Sequence, residues 1–224
     1  MENKKIDVME SVYTRNDKIA AKLNQTFTGK NIFVINVLGA PGVGKTSTLI
    51  NIIKNISCNC FVIEGDVKSD IDTENLKSFG IKALQINTDG GCHLDSYAVE
   101  KALSEANGRK DFIDSGILFI ENIGNLICPA DFKIGEHIKL LISNVTEGSD
   151  KPYKYPLAFE KADVILVNKI DMEKYADFER DIYLKGVKAL NKSAPVFFVS
   201  AKTGEGFGDV IEWIQAEKKK YIKE

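Results

Sequence analysis

Lys45 and Thr46 close the run Gly39-Ala-Pro-Gly-Val-Gly-Lys-Thr46. An amine and a hydroxyl at the end of a glycine-bearing loop can hold a polyphosphate and its cation. The apolar, β-branched run Ile32-Phe-Val-Ile-Asn-Val-Leu38 precedes the loop, and the periodic segment Thr48 to Ile56 follows it. That strand–loop–helix order is the context of a Walker A phosphate loop, and it argues against a chance glycine-rich turn. Gly39, Gly42, Val43 and Gly44 would offer backbone N–H groups to the phosphates. Ser47 lies at the helix N-terminus, whose partial positive charge faces the same anion. Lys45 would reach the β- and γ-phosphates, and the Thr46 hydroxyl would ligate Mg²⁺.

A second constellation selects a base. Ala162-Asp-Val-Ile-Leu-Val-Asn-Lys-Ile-Asp171 is an apolar strand ending in Asn-Lys-x-Asp. The Asp171 carboxylate can accept from the N1–H and exocyclic amine of guanine, donors that adenine lacks there, so the wrong base is rejected by a factor on the order of 10⁴. Asn168 would brace the phosphate loop and the Lys169 stem would lie along the base. Ser200, Ala201 and Lys202 follow a last short strand, Val196 to Val199, where a backbone amide can meet guanine O6. Together these elements specify GTP.

Carboxylates at strand ends near the phosphate loop are candidates for the Mg²⁺ shell or for orienting the attacking water. Phe61-Val-Ile63 runs into Glu64-Gly-Asp-Val-Lys-Ser-Asp70, which brings Asp66 and Asp70 forward; Asp70 or Asp72 could instead cap the next helix. Ile117-Leu-Phe-Ile120 runs into Glu121-Asn-Ile-Gly124, so Glu121 joins the catalytic candidates and Gly124 has the place of a γ-phosphate switch residue.

Cys92 and His93 stand after a Gly-Gly turn at a helix entrance, where exposure and the helix dipole can lower a thiol's pKa, and Cys128 lies four residues beyond Gly124. Adjacent ligands lack the two-residue spacing of common zinc motifs, and buried cysteines with a surface histidine would explain the same letters. Cys58 and Cys60, two apart on a strand, read as packing residues.

The elements that position these groups fit one α/β domain: 224 residues, 44% hydrophobic, 28% charged. The reading is a P-loop NTPase fold at 31–224, with a mostly parallel sheet of about seven strands between helices. An amphipathic helical arm at 1–30, marked by Val8, Val12, Ile19, Leu23 and Phe27, packs on it; a docking role for that arm is the alternative. A net charge of -2 argues against non-specific nucleic-acid binding. No run reaches the roughly 18 apolar residues of a membrane span, the N-terminus lacks a signal-peptide core, and four cysteines suit reduced thiols, so a cytoplasmic location is expected. Val145-Thr-Glu-Gly-Ser-Asp-Lys-Pro-Tyr-Lys-Tyr-Pro156 reads as a long polar loop and a candidate contact surface.

Glu121-Asn-Ile-Gly124, Gly90-Gly-Cys-His-Leu-Asp95 and the segment from Thr146 to Pro156 resemble the motifs of the HypB family, GTPases that help insert nickel into nickel–iron hydrogenases. The resemblance runs from about residue 10 to the end. It implies a dimerising P-loop GTPase with slow turnover, a GTP-dependent homodimer, and work with hydrogenase maturation proteins and the hydrogenase large subunit. It places Cys92, His93 and Cys128 on the family's nickel- or zinc-binding positions at the dimer interface. Two departures stand out: the Cys- or His-rich N-terminal metal segments of some members are absent, and Ala40 stands where some dimeric relatives carry a phosphate-loop lysine. Lys151 and Lys154 are the candidates for a lysine that crosses the interface. A related GTPase of urease maturation and a metal-free regulatory switch are the rival readings.

Overall fold

A computed structural model describes residues 8–66, 71–88, 90–108 and 112–222, with the side chains of 8–12 and of Asp66 left aside. Helix α1 (Val8–Gly29) leads into β1 (Ile32–Gly39), α2 (Lys45–Asn55), β2 (Cys60–Asp66), α3 (Ile71–Ser78), β3 (Ala83–Asn87) and α4 (Ser96–Ala106). Then come β4 (Gly116–Glu121), the short α5 (Cys128–Asp131) and β5 (Ile138–Asn144). Three short helical turns follow: a 3-10 turn at Val145–Glu147, α6 (Lys151–Lys154) and α7 (Pro156–Glu160). The chain ends with β6 (Val164–Asn168), a 3-10 turn at Ile170–Tyr175, α8 (Arg180–Leu190), β7 (Val196–Phe198) and α9 (Phe207–Tyr221).

The seven strands form one sheet in the order β3-β2-β4-β1-β5-β6-β7. Every neighbouring pair is parallel, so the expected "mostly parallel" sheet is wholly parallel. Both faces of such a sheet are covered, and β1, β4, β5 and β6 are buried along their whole length. Side chains alternate across it: Phe33, Ile35 and Val37 face α2 and α9 with Leu49, Ile52, Val210 and Ile214. Ile32 and Val34 face the other way, with Leu23 and Phe27 of α1 and Val99 and Leu103 of α4. At the far end Phe159, Tyr183 and Val187 pack on Leu141, Ile165 and Val167.

Chain order reverses beside β1, whose neighbours are β4 and β5. Ligands of open α/β sheets bind at such a switch point, beyond the C-terminal ends of the strands. Gly39, Asp66, Glu121, Asn144 and Asn168 end their strands on that edge. The segment from Val145 to Pro156, read from sequence as a polar loop, is a chain of helical turns that runs on to Glu160. Its prolines start helices instead of breaking them, because the first turn needs no N–H from them.

α1 is fixed by side chains as well as by its apolar face. Asn16 Nδ2 donates to Lys133 O (2.8 Å), and Asn16 Oδ1 accepts from Ser96 N (2.9 Å). His137 fills the gap between α1 and β1: Nδ1 accepts from Val34 N (2.9 Å) and Nε2 meets Thr28 Oγ1 (2.9 Å). Its ring lies between Phe33 and Tyr221, and burial pushes its pKa down to about 4. The unfolded imidazole titrates near 6.5, so between about 6.5 and 4 the unfolded chain binds the extra proton and stability falls with pH. Urea unfolding at pH 7 and at pH 4.5 should therefore show a smaller acid-induced drop in midpoint for His137→Gln than for the parent; parallel drops would contradict this role.

Candidate functional site

The phosphate loop joins β1 to α2 by a turn that only glycine fits. Gly44 has φ +93, and a Cβ there would lie 2.5 Å from Asn168 Nδ2. That close approach serves a bond: Asn168 Nδ2 donates to Val43 O at 2.9 Å. Asn168 Oδ1 accepts from Lys169 N (2.8 Å) and Ala201 N (2.9 Å), and the side chain is buried at 1% exposure. One carboxamide thus holds the phosphate loop, the Asn-Lys-x-Asp turn and the Ser-Ala-Lys turn together. Lys169 donates from Nζ to Gly42 O (2.7 Å), which lays its stem over the loop.

The carboxylate expected to read the base, Asp171, is oriented by its neighbours. Ser200 Oγ donates to Asp171 Oδ1 (2.6 Å), and Lys202 Nζ stands 3.9 Å from Oδ2. Asn51 of α2 donates to Ala201 O (2.9 Å), a further tie that the motifs do not contain. Ala201 N is engaged by Asn168 and Ser200 N by Glu205 O. Among the described residues, the Lys202 amide is thus the member of the tripeptide with no protein acceptor.

At the cation end, Thr46 Oγ1 donates to Glu121 Oε1 (3.1 Å). Glu121 sits opposite Glu64 in the β2–β4 register, and both are almost wholly buried. Burial pushes the Glu121 carboxyl up to about 8, against the pull of Lys45 and with a further push from Glu64. Two carboxylates beside a lysine and a threonine hydroxyl in a dry pocket are a donor set for a hard divalent cation, with a proton on Glu121 when no cation is bound. Glu64, which accepts from Thr73 Oγ1, was not singled out from sequence, because its partnership with Glu121 is a matter of strand register. The backbone of Asp66 ends β2; its side chain and all of Asp70 lie outside the described residues. Gly124 lies against the phosphate loop, where a Cβ would come 2.9 Å from Pro41 Cγ.

Cys92, His93 and Cys128 converge: one ligand atom from each lies within 4.8 Å of the others. Cys92 Sγ is 3.3 Å from His93 Nδ1. The imidazole packs against Phe132 in a tilted arrangement (4.1 Å between centroids), and Phe132 stacks on Tyr13 of α1 (5.0 Å). The expected lowering of the Cys92 pKa is not found. Its thiol is pushed up, chiefly by its hydrogen bond with Cys128, and α4 opens four residues later behind its own cap, Asp95 Oδ1 accepting from Ala98 N (2.7 Å). Cys60 opens β2 but Cys58 lies in the bend before it, so the two do not share a strand as expected; both are half-buried packing residues against the core. Lys151 pairs with Glu147 (2.8 Å) and Lys154 with Asp150. Among the described residues, no helix is long and apolar enough to cross a membrane.

The family described as CobW/HypB/UreG, nucleotide-binding domain, matches residues 33–198. The hydrogenase maturation factor HypB of Azotobacter vinelandii is 39% identical over 219 residues, 97% of this chain and 71% of that protein. The hydrogenase/urease maturation factor HypB of Helicobacter pylori is 30% identical, over 98% of this chain and 90% of that protein. A crystal structure of HypB from Helicobacter pylori in complex with nickel superposes with a TM-score of 0.88 at 30% identity, covering 94% of this chain and 98% of that one.

Two measurements test the nucleotide end of the site. Asn168→Ala strands Val43 O and Ala201 N, so it should cost about 2–4 kcal/mol of stability and weaken guanine-nucleotide binding together. Calorimetry in buffers of different ionisation enthalpy should find a proton released from the parent on Mg²⁺-nucleotide binding at pH 7 that is missing in Glu121→Gln; equal release would place the proton elsewhere.

Proposed function

The chain belongs to the HypB family within the CobW/HypB/UreG nucleotide-binding group, and on that footing we propose that it is a cytoplasmic, GTP-hydrolysing metallochaperone that assists nickel insertion into nickel–iron hydrogenase. The observation that carries the metal half is the convergence of Cys92, His93 and Cys128. Thiolate and imidazole suit both Ni²⁺ and Zn²⁺, and the relative from Helicobacter pylori was crystallised with nickel.

In this reading Gly39, Gly42, Val43, Gly44 and Ser47 cradle the phosphates and Lys45 neutralises their charge. Thr46 and the buried pair Glu64 and Glu121, with Asp66 and Asp70 as read from the sequence, would be the protein's side of the Mg²⁺ shell, where the cation would offset charge on the β- and γ-phosphates. Glu121 and Gly124 sense the γ-phosphate, and Asn168, Lys169, Asp171, Ser200, Ala201 and Lys202 choose guanine. Without an arginine at the phosphate loop, turnover is slow. Three ligands from one chain leave a four-coordinate metal short by one, and the exposed Ile127 and Tyr97 flank the cluster. Both features favour a homodimer that forms with GTP and shares the metal. Hydrogenase maturation proteins and the large subunit are the partners. A second client, urease, is favoured by the name of the Helicobacter relative, a hydrogenase/urease maturation factor.

Nickel titration with a non-hydrolysable GTP analogue should give one ion per two chains, weakened ~100-fold or more in Cys128→Ala, as expected for loss of a ligand. Equal, weak binding in both would leave a regulatory GTPase. Asp171→Asn should lose roughly 100-fold in preference for GTP over xanthosine triphosphate; an unchanged preference would remove that carboxylate from base selection.

A further inference from the structure

The metal cluster and the phosphate loop are joined by a five-residue bridge. Glu121 starts it beside Thr46, and Asn125 ends it. Asn125 pairs antiparallel, backbone to backbone, with Gly39, the first residue of the phosphate loop. Its side chain reaches the other way. Nδ2 donates to Cys92 O at 3.1 Å, and Oδ1 accepts from Ile127 N at 2.9 Å. One carboxamide therefore contacts the backbone of both thiol-bearing segments: at Cys92 itself, and at the residue before Cys128.

Little slack separates this bridge from the phosphate loop. The place of a Gly124 Cβ is already taken by Pro41, with Cγ at 2.9 Å and N at 3.0 Å. Upstream, Asn122 is buried at 1% exposure and fastens the same bridge to the neighbouring loop: Oδ1 accepts from Leu94 N (3.0 Å). Leu94 in turn fills the space over Gly65, next to Asp66. Close-packed contacts of this kind pass a displacement on instead of absorbing it. Asn125 differs from Asn122 in being half-exposed and in spending its side chain only on the two ligand segments.

We infer that Asn125 is the positioning residue through which the state of the phosphate loop sets the spacing of Cys92 and Cys128, and so makes metal affinity depend on the bound nucleotide. The inference rests on the metallochaperone reading above. Metal–ligand distances are tolerant to only about 0.2 Å, so a small movement of Gly39 and Pro41 is enough to change how well two thiols fit one ion. A nucleotide can shift metal affinity only by contacts that differ between its two states, and this bridge supplies the contact. Asn125 itself touches neither nucleotide nor metal.

The test uses the full chain and nickel alone as the probe, followed by thiolate-to-nickel charge-transfer absorption, with GDP and with a non-hydrolysable GTP analogue. Asn125→Ser keeps an oxygen that can close the turn to Ile127 and is too short to reach Cys92 O; Asn125→Ala loses both bonds. The parent's nickel Kd should differ ~10-fold or more between the two nucleotides, and both variants should bring that ratio to within about twofold. Their affinity for the GTP analogue without nickel, and the melting temperature of Asn125→Ser, should match the parent. A parental ratio retained in Asn125→Ser overturns the inference and leaves the metallochaperone reading intact. Nickel binding that is equal in the parent's two nucleotide states also overturns it. A parent that binds no nickel in either state overturns both.

Discussion

Asn168 is the residue on which the nucleotide end depends. Three turns that follow different strands, Val43 after β1, Lys169 after β6 and Ala201 after β7, meet on its two polar atoms. A buried carboxamide has no water to fall back on, so each of these bonds stabilises only while all three turns are in place. The geometry is then set before a ligand arrives, and ordering costs at binding are reduced. Gly44 is part of the same constraint, since any side chain there would displace the amide that closes it.

The metal end is built on a different principle. Its ligands come from two loops, one before α4 and one at the start of α5, and each loop is anchored through asparagines of the bridge after β4. His93 packs against Phe132, which stacks on Tyr13, so part of its orientation comes from the N-terminal helix. Base-reading turns fixed by Asn168, beside a cluster of exposed and half-exposed candidate ligands, match a division of labour in which the choice of guanine is fixed while the phosphate loop and the metal grip can adjust.

What could be read from the sequence was what is contiguous in it. The phosphate loop, the Asn-Lys-x-Asp turn and the continuous apolar strand runs announce themselves because residue type, spacing and local conformation agree. The HypB resemblance carried by the Glu-Asn-Ile-Gly, Gly-Gly-Cys-His and Thr-Glu-Gly motifs is borne out by the family match and by relatives along nearly the whole chain. Glu64 was passed over for Asp66 because only the β2–β4 register reveals that it faces Glu121. Asn51 and Asn125 were missed for the same reason, each acting on a residue far along the chain. Pro152 and Pro156 misled in the opposite direction: prolines suggest a loop, yet each stands in the first turn of a short helix. Cys92 misled because its neighbour in space is another thiol, Cys128, whose hydrogen bond raises its pKa, and the sequence places the two 36 residues apart.

Glu64 and Glu121 have a consequence for how the protein comes into being. Two bare carboxylates side by side in a dry pocket would repel each other, and a fold that contained them would have to wait for its cation. Burial raises Glu121 far enough for a proton to take the cation's place. With that proton on Glu121, and with Lys45 and the Thr73 hydroxyl beside the pair, the two carboxyls can stay buried before nucleotide or metal is bound. Assembly of the fold and loading of the site become separate events, and supply of the small molecules can govern the second without endangering the first.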